Sequence, residues 1–179
     1  MRVKFFGIII IYFLLIAVLP VWAQNDTLSI ELVKSKLEKA AKLVEGEGEA
    51  AFPKLRDKNG DFWIAGGKGY VWVQSLEGTM LMHPVRPELE GRDVSTLKDA
   101  TGFCLGTAMN DLVKKHGQGW IVYSWIRPDK PAKMIASYVK LVARGNKNYV
   151  LGCGMTSATK EYIQSIYPND TVIFSEEIK

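Results

Sequence analysis

Runs of alternating side chains, separated by short turns, constrain the fold of this chain more than any other feature. In the segment YVWVQS, Tyr70, Trp72 and Gln74 alternate with smaller residues, and a period of two places successive side chains on opposite faces of a β-strand. The turn LEGT and the run MLMH complete a predicted β-hairpin. Three later runs, GWIVYSWIR, MIASYVKLVA and NYVLGCGM, predict three more strands. Strands joined by such tight connections predict an antiparallel sheet.

Helical periodicity precedes and interrupts these strands. Over residues 26–51 apolar positions recur at helical spacing with charged residues between them, which predicts a long amphipathic helix. Asn25, Asp26 or Thr27 can cap its start. The polar segment after the hairpin predicts a second helix, strongest over AMNDLVKKH and closed by Gly117. The tail SATKEYIQSIYPNDTVIFSEEIK predicts a short helix and an edge strand.

This order of elements predicts an α+β domain. The long N-terminal helix is expected to pack on one face of the sheet. The segment between the hairpin and the third strand is expected to cover the other face. A pocket between the sheet and this loop-rich cover is then the natural place for a small-molecule site.

The first 23 residues have the pattern of an export signal. Arg2 and Lys4 precede an uncharged apolar run, and Val21 and Ala23 suit a small-residue cleavage site. Cleavage leaves residues 24–179 as one domain with its own core. An uncleaved membrane anchor is the alternative, because the uncharged stretch approaches the roughly 20 residues that span a bilayer.

Charge and cysteine content narrow the function classes. The net charge is +4, and without Arg2 and Lys4 the remaining 21 basic side chains face 19 acidic ones, a balance of about +2. The sequence contains no block of basic residues that would indicate a nucleic-acid partner. Cys104 and Cys153 can form one disulfide in an oxidising compartment or remain two buried thiols, and the sequence leaves both alternatives open.

The motifs of the common enzyme classes are missing. Neither His83 nor His116 belongs to an HExxH helix, and no CxxC or G-x-S-x-G occurs. The glycines of GEGE and GGKGY lack the context of a phosphate-binding loop. The sequence therefore predicts no metal, no cofactor and no catalytic site, and an enzyme of unfamiliar design is the least favoured hypothesis.

Aromatic side chains are concentrated on the predicted strands: Tyr70, Trp72, Trp120, Tyr123, Trp125, Tyr138 and Tyr149. The period of two groups Trp120 with Val122 and Ser124, and turns Tyr123 and Trp125 the other way. Aromatic residues on both faces cannot all line one site, so about half of them are expected only to fill the core. Phenol and indole donors beside a histidine and a lysine suit a small anion.

The order of motifs resembles one known family. The segment GYVWVQSLEGTMLMHPVRPELEGRDVSTLKDATG, followed by GWIVYSWIRP, SYVKLV and VLGCG, is similar to the single Cache domain of bacterial chemoreceptors and sensor kinases. The resemblance covers residues 26–156 and leaves residues 157–179 as a C-terminal extension. It implies a PAS-like extracellular sensor fold that binds small molecules, often short organic acids, between the sheet and its covering loops.

The resemblance also implies which residues contact a ligand. His83 would lie at the pocket mouth, where Pro84 holds its backbone extended and lets the imidazole donate to a carboxylate. The alternative is a histidine that only caps the turn. Asp99 and Gly102 are expected to shape the lid. The remaining wall candidates are Tyr70, Trp72, Tyr123, Trp125, Tyr138 and Lys140, of which Lys140 is alternatively a solvated strand end.

The chain departs from the family pattern at several positions. Relatives place a lysine where this chain has Ile135, so either Lys133, two positions earlier, compensates or the ligand is less charged. Relatives also tend toward T-G-x-Y where this chain reads CGMT. Cache domains usually lie between two transmembrane helices, whereas this sequence has one N-terminal apolar segment.

These observations predict a periplasmic or secreted binding protein for a small organic acid, anchored to the membrane if the signal is uncleaved. Its output would require a partner, such as a membrane receptor or sensor kinase. The alternative is a module that binds no ligand and docks on a membrane receptor.

Overall fold

The computed structural model describes residues 28–127, 130–156 and 158–175. The predicted signal peptide over residues 1–23 and the predicted helix caps Asn25, Asp26 and Thr27 lie outside these ranges. Within them, no helix combines the length and the apolar character needed to cross a membrane.

The long N-terminal helix, α1, spans Ile30–Glu47 and confirms the helical periodicity of this segment. The hydroxyl oxygen of Ser29 accepts a hydrogen bond from the Leu32 amide at 3.2 Å and caps the helix. One face of α1 is buried along its length, by Ile30, Val33, Leu37, Ala40, Ala41 and Val44.

The remaining elements follow in a regular order along the chain. A short helix, α2 (Phe52–Arg56), and a two-residue strand, β1 (Trp63–Ile64), lead into the predicted hairpin. The hairpin strands are β2 (Gly69–Ser75) and β3 (Met80–Met82). The later elements are α3 (Leu105–His116), β4 (Gln118–Arg127), β5 (Lys130–Arg144), β6 (Lys147–Thr156), α4 (Lys160–Ile166) and β7 (Val172–Phe174).

These strands form one mixed sheet of seven strands in the order β1-β2-β6-β5-β4-β7, with β3 paired to β2. The five strands expected from the period of two pair antiparallel, as predicted. The tail supplies an edge strand, as predicted, and this strand, β7, runs parallel to β4, so the complete sheet is mixed. The α4 connection before β7 turns the chain so that it approaches this edge in the same direction as β4.

The two faces of the sheet carry different covers. On one face α1 packs against a core that contains Trp120, Tyr138 and Tyr149. On the other face α3 and the segment before it pack against a second apolar cluster that contains Trp72, Tyr123 and Val139. Single strands therefore contribute to both cores through alternate side chains.

The two cysteines are both free thiols. Cys153 is buried in the core beneath α1, where burial raises the pKa of its thiol to about 12. Cys104 is half-buried directly before α3, on the other side of the sheet, where its sulfur lies 3.5 Å from the Ser95 carbonyl oxygen. Of the two alternatives open from the sequence, the structure supports free thiols.

Candidate functional site

A cavity of about 120 Å³ lies between the sheet and the cover, which we define as residues 84–109. Alternate residues of β2, β4, β5 and β6 form its floor, and apolar cover residues form its roof. The lining is mainly apolar with a few polar groups, as is usual for a small-molecule site. The floor residues are Tyr70, Trp72, Gln74, Tyr123, Trp125, Ile135, Ser137 and Gly154, and the roof includes Leu89, Val94, Leu97, Leu105 and Met109.

The structure brings five of the seven predicted ligand-binding residues to this cavity: Tyr70, Trp72, His83, Tyr123 and Trp125. They come from two separate strands, β2 and β4, and from the turn after β3, so only the folded sheet places them together. Their contact with a ligand stays a prediction.

The other two predicted residues, Tyr138 and Lys140, lie on the opposite face of the sheet, beneath α1. The Tyr138 ring packs on Trp120 with ring centroids 5.0 Å apart. The Lys140 ammonium donates to both carboxylate oxygens of Glu38, at 2.7 and 3.0 Å. The seven residues therefore do not form one wall, because strand alternation separates Tyr138 and Lys140 from Ser137, which lines the cavity.

His83 is held in one orientation at the end of β3. Its Nδ1 accepts hydrogen bonds from the backbone amides of Val85 at 3.3 Å and Arg86 at 3.1 Å, and its own amide donates to Glu90 at 2.8 Å. Because Nδ1 is an acceptor, the ring proton of the neutral imidazole resides on Nε2. Burial, followed by the nearby Arg86 charge, lowers the pKa of His83 to about 4, so the ring is a neutral donor at physiological pH.

A second donor comes from paired hydroxyl groups on the floor. The Tyr123 hydroxyl and the Ser137 hydroxyl lie 3.1 Å apart, and either can be the donor. Whichever donates within the pair leaves the other hydroxyl proton available to a ligand. Burial raises the pKa of Tyr123, which keeps this pair uncharged.

Gln74 and Asn110 link the floor to the cover. The Gln74 amide nitrogen donates to the Asn110 side-chain oxygen at 2.9 Å, and both side chains are buried. This bond joins β2 to α3 directly across the cavity wall. A buried polar pair satisfied in this way fixes the position of α3 over the sheet.

Asp99 helps to shape the cover, the predicted lid, by accepting hydrogen bonds from backbone amides. Its Oδ1 accepts from the Thr101 amide at 2.8 Å and the Phe103 amide at 3.1 Å, and its Oδ2 accepts from the Ser124 amide on β4 at 3.1 Å. Burial raises the pKa of Asp99, but hydrogen bonds from the Thr101 hydroxyl and from the Ser124 and Thr101 amides lower it by more, so the pKa is lowered overall. Gly102 follows in a left-handed conformation with φ of 87°. The cover is thereby tied to the sheet.

Several lining residues were missed by the sequence reasoning, including Lys68, Gln74, Ser137 and Gly154. The signal for Gln74 was present, because it shares a strand face with Tyr70 and Trp72. Lys68 lies outside this pattern, because its backbone is in the helical region directly before β2. Nothing in the sequence distinguished Ser137 from a core serine, since its role depends on the neighbouring strand.

The site offers hydrogen bonds and apolar contacts rather than metal ligands. In the described part of the chain no three His, Cys, Asp or Glu side chains converge as a metal site. The arrangement is suited to holding a small molecule between neutral donors and aromatic rings.

Comparison with known proteins assigns this architecture to a family. The dCache_2 model of the Cache domain matches residues 31–168. The chain belongs to the Cache domain family. This match includes α4, so the family resemblance extends beyond the residues 26–156 expected from the motifs, while the single-domain type stays a prediction.

Three similar proteins have chemosensory functions of their own. The methyl-accepting chemotaxis protein McpP of Pseudomonas putida is 32% identical over 73 residues, which are 40% of this chain and 13% of that protein. A solved periplasmic sensor domain of a chemotaxis protein is 29% identical with a TM-score of 0.59, covering 70% of this chain and 93% of that one. A solved Cache chemosensory domain described for carboxylic acid recognition is 28% identical with a TM-score of 0.52, covering 72% and 88%. The chain thus spans a small part of the curated relative and most of each solved sensor domain.

Proposed function

We propose that this Cache domain binds a short-chain carboxylate between its sheet and its cover, and that a partner protein reads the bound state. The observation that carries the proposal is the cavity with a fixed, neutral His83 in its lining. Cache sensor domains are receptor-type ligand-binding modules, and a solved relative is described for carboxylic acid recognition. Release of the ligand unchanged is therefore expected.

The location and the partner belong to the same proposal. A solved relative of similar size is a periplasmic sensor domain, and the curated relative is a chemotaxis receptor. We accordingly place this chain outside the cytoplasm, with a membrane receptor or sensor kinase as the partner that carries the signal.

A ligand screen by thermal unfolding tests the proposal directly. Purified protein is heated with acetate, propionate, lactate, pyruvate, dicarboxylates of four carbons, amino acids or purines. A ligand present at about 100 times its dissociation constant adds roughly 2.7 kcal/mol to the free energy of unfolding. A rise with short monocarboxylates, confirmed by calorimetric titration, supports the proposal. A folded protein that responds to none of them contradicts it.

One surface feature favours a second function, docking without a ligand. Tyr162 and Ile166 lie one turn apart on α4 and are 46% and 42% exposed. Apolar side chains exposed side by side on a helix can form part of a contact site. Under this function the ligand screen stays flat, and replacing both residues by serine abolishes association with the receptor in a reconstituted membrane.

A further inference from the structure

The cavity carries almost no charge of its own. Among the described residues that line it, Lys68 is the only permanent cation, and no carboxylate is present. His83 and the hydroxyl pair of Tyr123 and Ser137 donate without charge. Charge-assisted hydrogen bonds are roughly twice as strong as neutral ones, and an anion removed from water without a counter-charge is costly. A bound anion therefore requires a cation at this wall.

Lys68 lies where it can meet a ligand near His83. It is an exposed residue with a helical backbone conformation (φ −69°, ψ −27°) directly before β2, and it lines the cavity together with Tyr70 and Trp72. Tyr70 packs against His83 with ring centroids 5.3 Å apart. Lys68 and His83 therefore both line the cavity next to Tyr70.

The ends of the strands show which end of the sheet lies near Lys68. The pairing of β2 with β6 begins at Val71, opposite Cys153, and Lys68 and Thr156 both lie beyond this pair at the same end of the sheet. Thr156 in turn pairs with Ile135 on β5. Lys68, Thr156 and Ile135 all line the cavity.

The ammonium of Lys68 is not engaged elsewhere. Within the described part of the chain it takes part in no ion pair, hydrogen bond or ring contact. Other lysines near the sheet are engaged, since Lys34 pairs with Asp170 at 2.6 Å and Lys140 pairs with Glu38 at 2.7 Å. Lys68 can therefore pair with an incoming anion without breaking an internal contact.

The loop before Lys68 fixes its backbone position. Ala65, Gly66 and Gly67 follow one another in left-handed conformations, with φ of 49°, 68° and 88°. A Cβ atom at Gly67 would overlap the indole of Trp63, and that indole stacks on Tyr70 with ring centroids 6.2 Å apart. The loop is thus packed against the cavity wall, and Lys68 leaves it at a defined point.

We propose that Lys68 is the anion-binding residue of the cavity and pairs with the single carboxylate of a monocarboxylate. The apolar remainder of the ligand lies against the lining. A second carboxylate would be buried with no cation, so dicarboxylates are excluded. This inference rests on the proposed function, because it assigns the group that recognises the ligand's charge.

Pairs of isosteric ligands test this assignment. Acetate, propionate and lactate are each titrated calorimetrically against their neutral amides, using wild-type protein and Lys68→Met. Wild type is expected to prefer the acids. Lys68→Met is expected to weaken acid binding about tenfold and to change amide binding by less than about twofold, since only the charged contact is lost.

Three variants control this measurement. Lys68→Arg keeps the charge and is expected to retain the preference for the acid. Lys133→Met removes a lysine that pairs opposite Trp125 but does not line the cavity, and is expected to bind as wild type does. Lys68→Met combined with Ile135→Lys moves the charge to another residue that lines the cavity and is expected to restore acid binding. Thermal unfolding without ligand confirms that each variant is folded.

The outcomes separate this inference from the proposed function. If wild type prefers the acids and Lys68→Met prefers them equally, the inference fails and the proposed function stands. If Lys133→Met produces the loss instead, the inference likewise fails. If wild type binds neither the acids nor the amides, or binds both equally well, recognition of a carboxylate is absent and both proposals fall.

Discussion

We propose two roles for the His83 side chain, one for each ring nitrogen. Nδ1 accepts from the amides of Val85 and Arg86, and Nε2–H is the proposed donor to a ligand. His83→Asn preserves a short acceptor for the turn and removes the distal donor. We expect this variant to keep its melting temperature within a few degrees while ligand affinity falls about tenfold, the loss of roughly one hydrogen bond to a charged group.

His83→Ala provides the comparison, because it removes both the acceptor and the donor. It is expected to weaken ligand binding as much as His83→Asn does and also to lower stability, since two turn amides lose their acceptor. Calorimetric titration and thermal unfolding of both variants measure the two effects. If the ligand affinity of His83→Asn were unchanged, the role of His83 would be only to cap the turn.

The low pKa of His83 also predicts how stability depends on pH. The folded-state pKa is about 4, and an unperturbed histidine titrates near 6.5. Between these values the unfolded chain binds more protons than the folded one. The contribution of His83 to the free energy of unfolding is therefore fully present above about pH 6.5, and it is lost as the pH falls toward 4. The loss amounts to at most about 3 kcal/mol. Urea unfolding at several pH values measures it, and an equally steep fall in His83→Asn would contradict the assignment.

At the scale of elements, β6 carries two glycines whose neighbours differ. Gly152 lies opposite Trp72, and a Cβ atom there would overlap the indole ring. At Gly154 a Cβ atom would lie 2.8 Å from the Ser137 hydroxyl oxygen, the end of a side chain that can rotate. We expect Gly152→Ala to cost about 2–3 kcal/mol and to displace Trp72 from the cavity, and Gly154→Ala to cost clearly less.

Urea unfolding with tryptophan fluorescence compares these two variants on one strand and one face. Equal destabilisation would mean that the indole moves aside freely. In that case the contact between the Trp72 indole and Gly152 would not determine the shape of the cavity wall.

Strand alternation explains both the success and the failure of sequence reasoning on these elements. The period of two identified five strands and grouped Tyr123 with Trp125, as the structure confirms. The period of two does not show which face of the sheet a helix will cover, because both faces of β5 are apolar. Tyr138 was therefore assigned to the wall although it lies beneath α1. β7 has only three residues, and its parallel pairing depends on the path of α4, which no local pattern encodes.

At the scale of the whole molecule, the sheet separates the cavity from α1. Ser137 and Tyr138 are neighbours on β5, yet one lines the cavity and the other packs in the core beneath α1. Any shift of β5 on ligand binding would therefore reach α1 through the same strand. The C-terminal segment is tied to this core as well, since the Trp120 amide donates to the Thr171 carbonyl at 2.8 Å.

Asp170 is the residue that joins the C-terminal segment to both α1 and β4. Its Oδ2 pairs with the Lys34 ammonium at 2.6 Å and accepts from the Trp120 indole at 3.0 Å. Asp170→Ala leaves a buried indole N–H and a half-buried ammonium without their acceptor, at an expected cost of about 2 kcal/mol. Asp170→Asn keeps an acceptor for the indole and loses only the charge, so it is expected to cost less.

Asp111 is an exposed residue of α3, and Asp111→Ala serves as the matched control for these variants. Urea unfolding gives the stabilities, and titration with a ligand that binds wild type gives the affinities. Because Asp170 contacts the core on the α1 side, its variants are expected to change affinity by less than about twofold despite their lower stability. A large loss of affinity in Asp170→Asn would instead show that the two faces of the sheet are energetically coupled. If Asp170→Ala were no less stable than Asp111→Ala, the C-terminal segment would contribute little to holding α1 on the sheet.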